Sequence, residues 1–269
     1  MLHGEAGVTA DVETVPAPGV RRPETDVETV PAPEVRRPAA GIPAQPSPPP
    51  LETGPRPRPR RARLRRLLPT PTGTPFTFAY AVVLAGTSLF MEFADPDTVS
   101  AALRASSTDV THLAHSPVLV LGASALWIAG GVMSPLVVAF VVVLTALERR
   151  TGGLRTAGVF LLGHVLATLA TEIPVGLSVM AGHLPQSSLH RLDYGISFGV
   201  AASIGALAGL LTPWPRWLVL GGFAAMLIED LVAFTDPMTN WGHLLALAVG
   251  VGTWPLLRRR VPGRSARRG

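Results

Sequence analysis

The chain has 269 residues, a mean hydropathy of +0.36 and charged side chains at only 15% of positions, a balance that points to an integral membrane protein and excludes an ordinary soluble domain. The net charge of +5 comes with 23 basic residues that are all arginine; with Gly and Pro at 27 each, this reads as compositional bias and carries no nucleic-acid signal. Cysteine is absent, which excludes disulfides, thiol nucleophiles and sulfur-ligated metals.

Residues 1–75 contain no apolar h-region, so no signal peptide is expected, and the first hydrophobic run, beginning at Phe76, must act as the first transmembrane segment. Within this tail DVETVPAPGVRRP at 11–23 returns as DVETVPAPEVRRP at 26–38. A prolyl repeat with almost no aromatics cannot bury a core, so 1–75 is expected to be a disordered cytoplasmic Pro/Arg-rich tail. Arg56, Arg58, Arg60, Arg61, Arg63, Arg65 and Arg66 precede the first span, where they orient the chain and meet anionic headgroups.

The first span is expected over about 76–91, followed by a polar connection in which Asp97-Thr98 suggests an N-cap for a short helix reaching Arg104. His112 and His115 read as solvated loop residues. The stretch 116–148 is mostly apolar but long for one span of about 20 residues, and Gly130-Gly131 and Ser134-Pro135 interrupt it. Crossing once, it gives six spans, near 76–91, 116–148, 157–175, 195–211, 215–234 and 241–257. That count leaves only Arg104 and Arg191 opposite the arginine-rich side, whereas a hairpin would invert everything after it and break the positive-inside bias.

Segment 3 carries His164, Thr168 and Thr171 on one helical face, and its far end reaches Glu172 and Pro174. Segment 4 follows Asp193-Tyr194-Gly195-Ile196-Ser197-Phe198-Gly199 and aligns Gly195, Gly199, Ser203 and Ala206, the small-residue pattern that lets membrane helices approach. Pro213 to Trp217 makes an inner turn with two tryptophans at interfacial depth, and segment 5 ends with Glu229-Asp230. Segment 6 opens with Asn240-Trp241-Gly242-His243. Segments 4 and 6 enter from the same side, which puts Ser197 and His243 within about 6 Å of their helix starts. A serine and an imidazole at one depth can act as nucleophile and general base, with unpaired N–H groups of the segment 4 start available to an oxyanion.

Glu148-Arg149-Arg150 with Gly152 at an inner turn, Gly195-Ile196-Ser197 opening span 4, and His243, Ala246 and Gly250 along span 6 together resemble the rhomboid intramembrane serine proteases over about Phe76 to Trp254. The resemblance implies a catalytic dyad of Ser197 and His243, with Gly195, Gly199, Ala246 and Gly250 serving the motif and helix packing. The sequence departs from the family pattern in three places, one of them a span 2 longer than usual. Phe198 stands where the pattern has glycine, and H-x-x-x-N in span 2 has no counterpart, Ser124 being the one hydroxyl between Val118 and Trp127 that remains as an oxyanion donor.

The expected fold is therefore an all-α integral membrane protein, a six-transmembrane-helix rhomboid-like bundle over 76–257 with a disordered tail before it and a basic cytoplasmic tail at 258–269. Expected partners are the lipid bilayer and single-span membrane proteins, as substrates of a protease or as clients of a catalytically inactive relative; no metal, cofactor or nucleic acid is expected. The cell membrane, with both termini cytoplasmic, is the expected location. A metal-dependent hydrolase built on His164, His243, Asp193 and Glu172 lacks the H-x-x-x-H or H-E-x-x-H spacing, and a small-solute transporter is the remaining class. G-x-S-x-G at 195–199 also spells a nucleophile elbow, which needs a strand before it.

Overall fold

The structure is a computed structural model that describes residues 67–259 apart from 132 and 235. The tandem repeat, the arginine cluster at 56–66 and most of the C-terminal basic tail lie outside the described residues. Those that are described form helices and connecting loops, with no strand.

Local chemistry sets the starts of the helices. Helix α1, Pro75–Phe93, has proline in its first turn, where the missing N–H costs nothing. The Glu148 carboxylate receives the free N–H groups of Phe76 at 2.9 Å and Thr77 at 2.7 Å, together with the Thr77 hydroxyl at 2.6 Å. Helix α2, Pro96–Ala105, is capped by Asp95, which accepts from Asp97 and Thr98 N–H at 3.1 Å each, so the cap lies two residues before the expected Asp97-Thr98. Asp109 caps the short α3, Val110–His115, through the His112 N–H at 3.0 Å.

The stretch 116–148 does not cross as one helix. It divides into α4, Pro117–Ser124, and α5, Pro135–Thr151. Gly130 and Gly131 take φ of +82° and +73°, and Ser134 then caps a new helix by accepting from Leu136 N–H at 3.2 Å. Eight residues rise only about 12 Å, so α4 is too short to span. After the Gly152 turn, α6 runs without a break from Gly153 to Met180, through Pro174. A 3-10 turn at Gln186–His190 leads to α7, Ser197–Ala208. Helix α8, Pro213–Val232, already includes the tryptophans expected in a turn, and α9, Pro237–Gly252, starts four residues ahead of Trp241. A short α10, Trp254–Arg258, follows.

Helix α7 is the axis of the bundle, buried along almost its whole length against α5, α6 and α9. A β-carbon on Gly250 would run into the Ala202 carbonyl, and one on Gly205 into the Leu247 carbonyl, so α7 and α9 meet backbone to backbone. Tyr80 of α1 sits edge-on between Phe140 of α5 and Phe160 of α6, ring centroids 5.2 Å away in each case, and its hydroxyl donates to the Ala125 carbonyl.

Two of the described helices, α1 and α6, are long and apolar enough to cross a membrane, and α7 is a shorter apolar helix of 12 residues. Large side chains such as Leu89, Phe93, Ile173, Leu177 and Val232 are exposed on the bundle's outside, as a lipid-facing surface requires. Charge is segregated along the axis. Glu92, Asp95, Asp97, Asp109, Glu172, Asp193, Glu229, Asp230 and Asp236 gather at the end that carries Arg104 and Arg191. Arg149, Arg150, Arg155, Arg216, Arg258 and Arg259 gather at the other, with Glu148 as the one carboxylate there among the described residues.

Candidate functional site

The loop before α7 is stapled to the loop before α3. Thr108 donates its N–H to the Asp193 carbonyl at 2.8 Å and its hydroxyl to the Asp193 carboxylate at 3.1 Å, and the Asp193 N–H reaches the Ser107 hydroxyl at 3.1 Å. Gly195 then donates to the Ser124 carbonyl at 2.9 Å with φ of +126°, a conformation that favours glycine. Ile196 is fully buried, and Ser197 is the first residue of α7. The position of the serine is thus fixed from both loops before the helix begins.

His243 comes from α9. Because α9 starts at Pro237, His243 stands two turns into its helix while Ser197 stands at the start of its own, so their depths do not match when counted from the helix ends. The two side chains nevertheless line one cavity of about 430 Å3, between α5, α7, α8 and α9. No hydrogen bond joins Ser197 to His243 among the described residues, and His243 Nδ1 is buried without a partner. Leu136 and Ala139 of α5, and Phe223, Leu227 and Asp230 of α8, form part of the wall.

Phe198, the bulky residue after the serine, turns its ring toward α9. It meets the His243 imidazole edge to face at 5.1 Å between centroids. A β-carbon at Gly242 would lie 2.5 Å from the Phe198 ring, so the glycine before the histidine makes room for the phenylalanine after the serine.

Ser124 is not on that cavity. Its hydroxyl lies 3.1 Å from His164 Nε2 and 3.3 Å from the Leu121 carbonyl, a hydrogen-bonded pair that also ties α4 to α6. Behind Ser197 a second pocket, of about 10 Å3, is lined by Thr108, His164, Thr168 and Asp193. It has room for about one water, and both His164 Nδ1 and Thr168 Oγ1 are buried without partners. The other predicted residues serve close approach. A β-carbon at Gly199 would enter the Phe160 ring, and Ala246 is fully buried against Ala202 and Phe198.

A buried ion pair at the acidic end was not visible in the sequence. Arg191 Nη2 meets Glu172 Oε1 at 2.6 Å, with Glu172 1% exposed, and Arg191 Nη1 approaches Asp236 at 3.9 Å. Burial opposes the Arg191 charge, but the bond to Glu172 and the surrounding carboxylates outweigh it and hold its pKa above the ordinary value. The only prior signal was a carboxylate at the far end of an apolar segment, which calls for a partner. The residues that α5 and α8 give to the cavity had no signal at all, since packing alone brings them there.

Among the described residues, no group of three or more His, Cys, Asp or Glu side chains comes together to hold a metal ion. Comparison with known families finds that residues 72–263 match the model of a family described as rhomboid-like protein. Comparison with curated proteins and with solved structures gives no significant match.

Proposed function

From its membership of the rhomboid-like protein family, to which this chain belongs, we propose that it is an intramembrane serine protease that cleaves membrane-spanning proteins with a dyad of Ser197 and His243. The observation that carries the reading is the shared cavity, in which a serine at a helix start and a histidine with a free, buried nitrogen face the same space. An open Ser–His distance is compatible with this, because catalytic hydrogen bonds are often long in unliganded enzymes and tighten when substrate binds. His243 takes the Ser197 proton as Oγ attacks the scissile carbonyl. The N–H groups of the first turn of α7, unpaired by helix geometry, face the negative charge that develops on oxygen. The carbon–nitrogen bond then breaks, the leaving amine takes the proton from His243, and water hydrolyses the acyl-enzyme.

In this reading α1, α5, α6, α7, α8 and α9 are the six spans. The arginine end and both termini are cytoplasmic, following the excess of arginine there. A reporter fused after Arg260 reads out on the cytoplasmic side; an external readout overturns that topology.

A second reading is favoured by the missing Ser197–His243 hydrogen bond and by the commitment of Ser124 to His164. It is a catalytically inactive relative that binds single-span clients in the same cavity. Loss of one oxyanion donor costs roughly 3 kcal/mol of transition-state stabilisation, which slows an enzyme greatly without abolishing it. Labelling with a fluorophosphonate separates the two. The protease reading expects labelling of the wild type, and cleavage of a single-span reporter that is lost in both Ser197→Ala and His243→Ala. A folded preparation that never labels, yet photo-crosslinks a single-span protein from the cavity wall, establishes the client-binding reading instead.

A further inference from the structure

We propose that the groove between α6 and the α9–α10 junction is a binding site for one anionic phospholipid, with the headgroup phosphate on Arg155 and an acyl chain along Gly158 to Leu162. The groove encloses about 310 Å3, and apart from Arg155 and Thr253 its walls are apolar. The Thr253 hydroxyl is already spent on the Gly250 carbonyl at 2.6 Å, so Arg155 is the polar group left to a ligand.

The fold creates the groove by breaking a helix. Pro255 stands in the first turn of α10, three residues after α9 has ended, and Trp254 swings toward α7, where its indole N–H donates to the Gly205 carbonyl at 2.8 Å. The largest side chain of the junction therefore leaves the α6 side uncovered. On α6, Gly158 has open space where a β-carbon would be. The distance from Arg155 to Leu162 along the helix is roughly 10 Å, enough to lead a chain from the headgroup level into the hydrocarbon.

Charge selects an anion. Among the described residues Arg155 makes one weak bond of its own, at 3.5 Å to the Thr151 carbonyl, and has no carboxylate partner. Five further arginines share this end of the bundle among the described residues, and its one carboxylate, Glu148, is consumed by Phe76 and Thr77. A headgroup carrying its own ammonium gains little there, whereas a phosphodiester without one is attracted by the whole end and bonded by Arg155.

The test adds phosphatidylglycerol to the delipidated full-length protein in neutral detergent and counts bound lipid by native mass spectrometry. One lipid is expected per wild-type chain, with phosphatidylcholine a poor competitor. Arg155→Gln weakens retention about tenfold or more, the value of a charge-assisted bond. Gly158→Phe, which fills the groove and keeps the arginine, weakens it comparably. Arg149→Gln, which removes an exposed arginine bonded to the Leu68 carbonyl, weakens it by less than about fivefold, the size of the general surface attraction. Equal loss in Arg149→Gln and Arg155→Gln, full retention in Gly158→Phe, or no lipid on the wild type overturns the proposal. Displacement of the lipid by millimolar inorganic phosphate overturns it too, by showing a site for free anions. Elution of each variant as a monodisperse peak excludes misfolding as the cause.

Discussion

Helices α7 and α8 are neighbours in the chain and opposites in their packing. In α7 ten of 12 residues are buried, while in α8 only Leu220 and Leu227 are buried out of 20. In lipid, where hydrocarbon competes equally well for an apolar side chain, helices associate through close van der Waals contact and hydrogen bonds. Helix α7 achieves that contact with glycine and alanine against α6 and α9, and so presents Ser197 on the most constrained element of the molecule. Helix α8 touches the bundle through long side chains with the cavity between them, and the loop after it holds Phe234 and Asp236 at positive φ. In the proposed reading the difference fits two roles: a fixed wall that would carry the reacting group, and a loosely held wall through which a partner would enter.

The most damaging change to the fixed wall is the smallest one chemically. Gly205→Ala or Gly250→Ala puts a methyl group into the carbonyl of the facing helix, and neither backbone can yield without separating α7 from α9. Each is expected to cost about 3 kcal/mol or more, at the upper end for overpacking, and to lower the thermal unfolding midpoint in detergent sharply. An unchanged midpoint for both removes the backbone-to-backbone account of α7.

Arg191→Gln acts where the fixed and loose parts join, since Arg191 ties α6 to the turn before α9 through Glu172 and Asp236. It leaves the Glu172 carboxylate buried without its partner. A loss of about 3 kcal/mol is expected, the low end for a broken buried pair, because Arg191 itself is about one-third exposed. Glu172→Gln together with Arg191→Gln restores part of the loss; a double variant as unstable as the single one refutes the pairing. Glu148→Gln is smaller, about 2 kcal/mol, as a charged acceptor of two N–H groups and a hydroxyl becomes neutral. It detaches the start of α1 from α5 and leaves α7 in place, so fluorophosphonate labelling of Ser197, if present in the wild type, persists in Glu148→Gln.

The fixed wall was largely legible from sequence and the loose one was not. Gly199, Ala246 and Gly250 lie at helical spacing and face a neighbour because small residues have no other use there. The face carrying His164, Thr168 and Thr171 was likewise readable as periodicity, and all three are buried on α6. At 116–148 the interruption expected at Gly130-Gly131 and Ser134-Pro135 is where the helix breaks, and what sequence did not show is that the part before it, α4, is only eight residues long. Helix α4 carries no charge, so the arginine bias is blind to it. The cavity wall from α8 had no periodic signal, since only two of its residues are buried. Phe198 was read only as a departure from the family pattern, while its partner Gly242 lies 44 residues away and was read only as part of a helix start.

The weakest expected effect gives the comparison its most direct test, because it repeats the first substitution on the other helix. Gly221 and Gly222 of α8 have no atom within 4 Å of where a β-carbon would stand. Gly221→Ala and Gly222→Ala therefore meet no steric barrier, and each relieves the conformational cost of a mid-helix glycine, a gain of at most about 1 kcal/mol. The same methyl group should thus lower the unfolding midpoint in α7 or α9 and leave it level or slightly raised in α8. A fall at Gly221 or Gly222 as large as that at Gly250 would mean that α8 is packed as tightly as α7, and the proposed entry past α8 would have to be given up for one past α5.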